Sequence, residues 1–294
     1  MLRHTPVLAR ETFENLPNSF GRYFDGTFGH GGHVEYLLNH REEQHPGQKV
    51  EVIACDLDQR VMDKGEVFIG KRNKQVKLLH SSYAAIRSIG EQEGKFDFML
   101  LDLGVNMEHF KDGERGFSIK TDADLDMRFN QDAKTTAKDI VNHYSLQELV
   151  RILIKYGDFS EKSAEYFAKG IIEERKKKKI ESTGELKEIL YNLHCNQKKI
   201  AVIFQVLRIE TNKELEQLEQ FLQDFPNVLT KGGRCAIMTY HSIEDRITKF
   251  AFKALEEGGK FRLVHKKVIQ PHYKEVEKNK AARSAKLRII EKVV

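Results

Sequence analysis

Along the first hundred residues, short apolar runs stop at an acid and are followed by amphipathic stretches. Arg22-Tyr23-Phe24 leads into Asp25 and a glycine-rich turn, residues 50–55 lead into Asp56-Leu57-Asp58, and residues 96–101 lead into Asp102. Near-continuous apolar runs suit strands of a sheet covered on both faces. Between them, residues 34–40 and 59–68 carry helical periodicity. Strand, helix and strand at this spacing predict right-handed βαβ units and a parallel sheet.

The pattern changes after Asp102. Residues 108–130 are charged and loop-like, and amphipathic helices follow. Ser145-Leu146-Gln147-Glu148 is a capping box that opens a helix with Leu146, Leu149, Val150, Leu153 and Ile154 on one face. A second helix carries Ala164, Phe167, Ala168, Ile171 and Ile172 and runs into Arg175 and four lysines. A third starts at Ser182, with Glu185 completing its cap. The alternating pattern then returns. Residues 204–225 predict one long helix, Gly232-Gly233 turns into a strand over 235–240 that ends at His241, and residues 261–269 and 286–294 predict two closing strands. The expected fold is α/β: a sheet domain formed by 1–107 and 203–294, with an all-helical subdomain inserted at 108–202.

Composition narrows the class. No run of about 18 apolar residues predicts a membrane span, and the first residues lack the apolar stretch of a signal peptide. Three widely spaced cysteines, Cys55, Cys195 and Cys235, form no CxxC pair, and two of them sit in apolar runs as buried thiols. These features predict a soluble protein of a reducing cytoplasm. The formal net charge is +5. Residues 253–294 hold twelve Lys and Arg against five Asp and Glu, so the rest of the chain is slightly acidic. Such a local surplus is the footprint of a polyanion binder, and equally of a solvated surface.

Ligands of an open α/β sheet bind beyond the carboxyl ends of its strands. The residues expected there are 25–33, Asp56, Tyr83, Asp102 and His241. The turn Asp25-Gly26-Thr27-Phe28-Gly29-His30-Gly31-Gly32-His33 lets backbone approach a ligand and starts a helix whose N–H groups face it. It departs from the G-x-G-x-x-G dinucleotide pattern, since Val34 holds the sixth place. Asp56 lies 24 residues beyond Gly32, close to the roughly 20-residue spacing of a ribose-binding acid. Asp58 is the rival for that role, and either can instead cap a helix. No catalytic triad, paired carboxylates or metal-binding cluster stands out. Chemistry that needs mainly positioning is favoured, and methyl transfer from S-adenosylmethionine fits.

The motifs resemble the bacterial 16S ribosomal RNA cytosine-N4-methyltransferases, which are class I methyltransferases. The matching stretches are HTPVL at 4–8, DGTFGHGGH at 25–33, DLD at 56–58, LDLGV at 101–105, ERGFS at 114–118 and LDMR at 125–128. FQVLRIETNKEL at 204–215, YHSIEDRI at 240–247 and ARSAKLRI at 282–289 complete the series. The resemblance implies a Rossmann-like domain with a helical insertion that helps to bind RNA. It implies a donor site at Gly31, Gly32, His33, Asp56, Tyr83 and Asp102, with His109 at a position where the family usually has Gln. Asn106-Met107 stands where the family usually has Ser-Ser. The substrate it implies is a cytidine of the small ribosomal subunit's decoding centre. Asp102 is expected to accept from the cytosine amino group, with Asn106 assisting. His241 can hold the base or take the proton, and its other reading is a cap at a helix start. Arg115, Arg128, Arg208, Arg246, Arg283 and the 175–179 cluster are the phosphate candidates, although a lysine run at a helix end also suits the helix dipole. No metal is expected, and monomer and homodimer both remain open. Two other readings stand beside the enzyme: a non-catalytic RNA-binding or assembly protein that keeps the fold, and an NAD-linked oxidoreductase.

Overall fold

The computed structural model describes residues 6–17, 21–44, 49–69, 75–105 and 113–294. The early apolar runs form parallel strands: β1 (Arg22–Asp25), β2 (Glu51–Asp56), β3 (Val76–His80) and β4 (Phe96–Asp102). Late in the chain come β5 (Leu229–Thr239), β6 (Phe261–Leu263) and β7 (Lys286–Lys292). The seven strands are ordered β3-β2-β1-β4-β5-β7-β6. Strand β7 runs antiparallel to both neighbours, the rest of the sheet being parallel. The order reverses between β1 and β4, which opens a crevice beyond their carboxyl ends.

Alternation along the strands divides the core in two. Phe24, Ile53, Cys55, Met99, Leu101, Cys235 and Ile237 face one side, where they join Ile86, Ile89, Phe221, Phe225 and Phe252. Tyr23, Val52, Ala54, Phe98, Leu100, Ala236 and Met238 face the other, with Leu8, Phe13, Val34 and Leu37. Helices therefore cover both faces: α1 (Ala9–Phe13), α2 (Gly32–Gln44), α3 (Gln59–Ile69) and α4 (Ile86–Glu93) come early. All three cysteines are buried and free, including Cys195, which lies outside the apolar runs that hold Cys55 and Cys235.

The chain divides into two compact units, Met1–Gly104 with Glu216–Val294, and Val105–Leu215. The second unit holds α5 (Ala137–His143), α6 (Leu146–Gly157), α7 (Glu161–Lys177), α8 (Thr183–Asn192) and α9 (Gln197–Asn212). Capping boxes open α5 at Thr136, α6 at Ser145 and α8 at Ser182. The return to the sheet falls at 215/216 rather than 202/203, because α9 runs unbroken across residue 203.

Three expectations are corrected. The single helix over 204–225 is two helices, α9 and α10 (Glu214–Val228), which break at Lys213 with φ +52°. The expected strand over 261–269 is three residues of β6, followed by a bridge in which Ile269 and Leu287 exchange backbone hydrogen bonds of 2.9 and 3.0 Å. Strand β5 starts at Leu229, six residues before the expected start, and carries Gly232 at φ +76° within it. The remaining helices are α11 (Ser242–Glu257) and α12 (Tyr273–Lys278).

Candidate functional site

The glycine-rich turn is held between the strands it leaves. Gly26 N–H donates to Leu100 O at 2.9 Å and Phe28 N–H to Cys55 O at 3.0 Å. A Cβ on Gly26 would meet the Leu101 side chain and lie 2.8 Å from Tyr83 Cβ, so only glycine lets β1 leave the sheet here. Gly29 and Gly31 adopt φ +55° and +76°, values that other residues reach at a cost. Phe28 anchors the turn in the core at 3% exposure.

Asp25 is the internal brace of this turn. Its carboxylate accepts from Thr27 N–H at 3.1 Å and from the Tyr23 hydroxyl at 2.9 Å. Burial pushes its carboxyl up to about 6, with the positive field of His33 opposing. Burial also raises the Tyr23 phenol well above its ordinary value.

Asp56 ends β2 half-buried. It accepts from Gly29 N–H and from Asp58 N–H, both at 2.9 Å. It therefore ties the glycine turn to the second strand. Asp58 is 1% exposed, and its side chain accepts from Arg60 N–H at 3.1 Å. That is a cap at the start of α3, so of the two acids Asp56 is the one at the sheet edge.

Asp102 ends β4 with both carboxylate oxygens engaged. Oδ1 accepts from the Tyr240 hydroxyl at 2.7 Å, and Oδ2 lies 3.3 Å from His33 Nε2. The Asp102 backbone N–H donates to Thr27 Oγ1 at 2.7 Å, which locks the strand end to the glycine turn. His33 stands in the first turn of α2 and is 7% exposed, with its Nδ1 buried and lacking a hydrogen-bond partner among the described residues. Burial, followed by the charge of Asp102, drives the Tyr240 phenol well above its ordinary value, so it stays a donor.

Tyr83 opens a short turn capped by Ser82 Oγ, which accepts from Ala84 N–H at 3.0 Å. Its ring meets Phe221 edge-on at 5.9 Å. Gly31, Gly32, His33, Asp56, Tyr83 and Asp102 thus all lie on the sheet unit. Asn106 and His109 lie outside the described residues.

His241 is N-cap of α11. Its Nδ1 accepts from Glu244 N–H at 3.4 Å, and Glu244 Oε2 accepts from the N–H groups of Tyr240 and His241 at 3.0 and 3.4 Å. His241 thus caps this helix, and the neighbouring Tyr240 is the side chain that reaches Asp102. Sequence reasoning did not single out Tyr240, although it stands within a matching motif.

Three arginines of the helical unit are committed to their own fold. Arg115 is 4% exposed, donates to Phe129 O at 3.1 Å and also to Arg128 O, and stacks over Phe117 at 5.3 Å. Arg128 grips Asp126 through two bonds of 2.9 and 2.7 Å and donates to the carbonyls of Gln131 and Ala133. Arg208 forms a two-pronged pair with Glu214 at 2.8 and 3.0 Å. Arg115 and Arg128 brace the loop that holds them, and Arg208 ties α9 to the start of α10. Arg246 and Arg283, on the sheet unit, are exposed and carry no ion pair among the described residues.

A glycine turn, an acid ending β2 and an orientated acid ending β4 meet at the reversal of strand order. Comparison with known proteins gives the family. The chain matches the model described as the MraW methylase family over residues 1–293. A protein of Elusimicrobium minutum named ribosomal RNA small subunit methyltransferase H is 39% identical over 297 residues, covering 99% of this chain and 98% of the relative. The protein of that name from Coprothermobacter proteolyticus is 39% identical, covering 100% and 97%, and that from Streptococcus mutans is 37% identical, covering 99% and 98%. On a match that spans its length, this chain belongs to the MraW methylase family.

Proposed function

We propose that the protein methylates N4 of a cytidine in 16S rRNA of the small ribosomal subunit, in the cytoplasm. The methyl donor is S-adenosylmethionine. The residues present suit it. Backbone at Gly31 and Gly32 can approach a nucleoside ligand closely, Asp56 offers lone pairs to ribose hydroxyls, the Tyr83 ring offers an apolar face, and the buried, unpartnered Nδ1 of His33 is a polar atom suited to a ligand. When bound, the donor supplies a methyl group already activated by sulfonium charge.

The remaining task falls to the chain. Cytosine N4 is a weak nucleophile because its lone pair is delocalised into the ring. A carboxylate that accepts an N–H hydrogen bond from the amino group turns that lone pair toward the methyl, and it can take the proton that N4 gives up on methylation. The observation that carries this reading is the Asp102 carboxylate, fixed by Tyr240 and His33 at the crevice between β1 and β4. Holding both oxygens in one orientation supplies the alignment on which such a transfer depends. The target base must leave its stack to reach this edge. The helical unit serves as a second substrate-binding surface in this reading.

The testing experiment compares wild type with Asp102→Ala on unmodified small-subunit RNA. Wild type is expected to transfer methyl and the variant to lose at least about a hundredfold in rate, of the order seen when a positioned catalytic group is removed. Full activity in Asp102→Ala would overturn the mechanism. The binding-protein reading predicts RNA affinity without transfer, and the oxidoreductase reading predicts nicotinamide binding at the glycine turn.

A further inference from the structure

Because β7 runs antiparallel, its first residue, Lys286, sits opposite Thr239 at the carboxyl end of β5. The next residue of that strand end is Tyr240, which holds Asp102. The chain leading into β7, residues 264–285, therefore emerges at the same edge of the sheet as the proposed site. It is anchored there from beneath. Ile269 and Leu287 exchange backbone hydrogen bonds, Glu275 accepts from Leu8 N–H at 2.8 Å, and Ala282 and Ala285 are buried. The charge of Glu275 also acts on the Tyr240 phenol, consistent with that placement.

Its outward side has a different character. His272 and Tyr273 are exposed, their ring centroids 4.3 Å apart, and Tyr273 is 63% accessible. Lys266, Lys267, Lys274, Lys278, Lys280 and Arg283 are exposed and form no ion pair among the described residues. The lysine run of the helical unit, which looks similar in sequence, is largely neutralised where it stands: Lys176 pairs with Glu173 at 2.7 Å and Lys177 with Glu174 at 2.8 Å. Unpaired cations interleaved with an exposed ring are what single-stranded nucleic acid requires, since phosphates track the charges and any base can stack on the ring.

We infer that residues 264–285 form a docking strip for single-stranded RNA beside the target nucleotide, with a base stacked on Tyr273 and phosphates on Lys274, Lys278, Lys280 and Arg283. This rests on the reading of RNA as the acceptor.

The test uses the full chain and a short labelled single-stranded RNA that contains a cytidine, with anisotropy followed across a salt titration. Tyr273→Ala is expected to weaken binding about tenfold while leaving the salt dependence unchanged. The combined Lys274→Ala, Lys280→Ala and Arg283→Ala variant is expected to weaken binding of all sequences alike. It should also flatten the logarithmic salt slope by about 0.7 for each phosphate that no longer meets a cation. S-adenosylmethionine affinity and the unfolding transition serve as controls and should be those of wild type. Wild-type RNA affinity and slope in both variants would overturn the strip. So would weakening seen only on assembled subunits, which would assign the surface to a protein partner. RNA binding through the strip without methyl transfer would leave the strip standing and overturn the enzymatic reading. Absence of RNA binding by wild type would overturn both.

Discussion

Asp102 and Tyr240 show what a single hydroxyl can contribute at the strand ends. Tyr240→Phe keeps the ring and removes one donor from the Asp102 carboxylate. The expected result is a roughly tenfold loss of methyl transfer, equivalent to about 1.4 kcal/mol for one charge-assisted hydrogen bond, with S-adenosylmethionine affinity unchanged; an unaltered rate would show that Asp102 needs no such support. Asp25 makes a different prediction. Its carboxyl is raised from 3.8 to about 6 in the folded state. Between these values the folded protein binds a proton that the unfolded chain does not, so this group's contribution is full below about pH 4 and fades as pH rises through about 6. The shift corresponds to about 3 kcal/mol. Asp25→Asn should therefore gain stability relative to wild type between about pH 4 and 7, as read from denaturant midpoints. A constant difference would contradict the assignment. Asp25, Asp56 and Asp102 were legible as strand-end acids because each follows an apolar run. The Tyr240 contact was not, since it joins residues 138 apart in the chain.

Among the elements, the helices were legible where their caps are local. Ser145 with Glu148 and Ser182 with Glu185 write their signals within four residues. The break at Lys213 was hidden because the apolar periodicity continues through it, from Leu207 to Leu215 and Leu218. What fixes it is tertiary: Asn212 at the end of α9 donates to Met127 O at 2.8 Å and accepts from Phe129 N–H at 2.7 Å. Arg115 reaches carbonyls 13 and 14 residues further on, which no motif marks, whereas Arg128 and Arg208 meet carboxylates two and six residues away inside their own motifs. Arg128→Ala is accordingly expected to cost about 2–3 kcal/mol of stability, because it leaves Asp126 poorly solvated and unpaired. RNA affinity should change little under conditions where the variant remains folded. Thermal unfolding measured alongside RNA binding separates the two, and an affinity loss at full stability would restore Arg128 to the substrate surface.

At the scale of the molecule, the order β3-β2-β1-β4-β5-β7-β6 brings three acids and a glycine turn to one edge, and antiparallel β7 returns a net-basic segment to it. The parallel core was readable from alternating strands and helices. The insertion of β7 between β5 and β6 was not, because neighbouring closing strands read equally well as a simple hairpin at the sheet's margin. The most direct measurement is transfer of labelled methyl from S-adenosylmethionine to small ribosomal subunits lacking the modification, followed by nucleoside analysis of the RNA. N4-methylated cytidine as the labelled product is the expected result. Label in another nucleoside, or none while S-adenosylmethionine still binds, would contradict the assignment of this edge to cytidine N4 methylation.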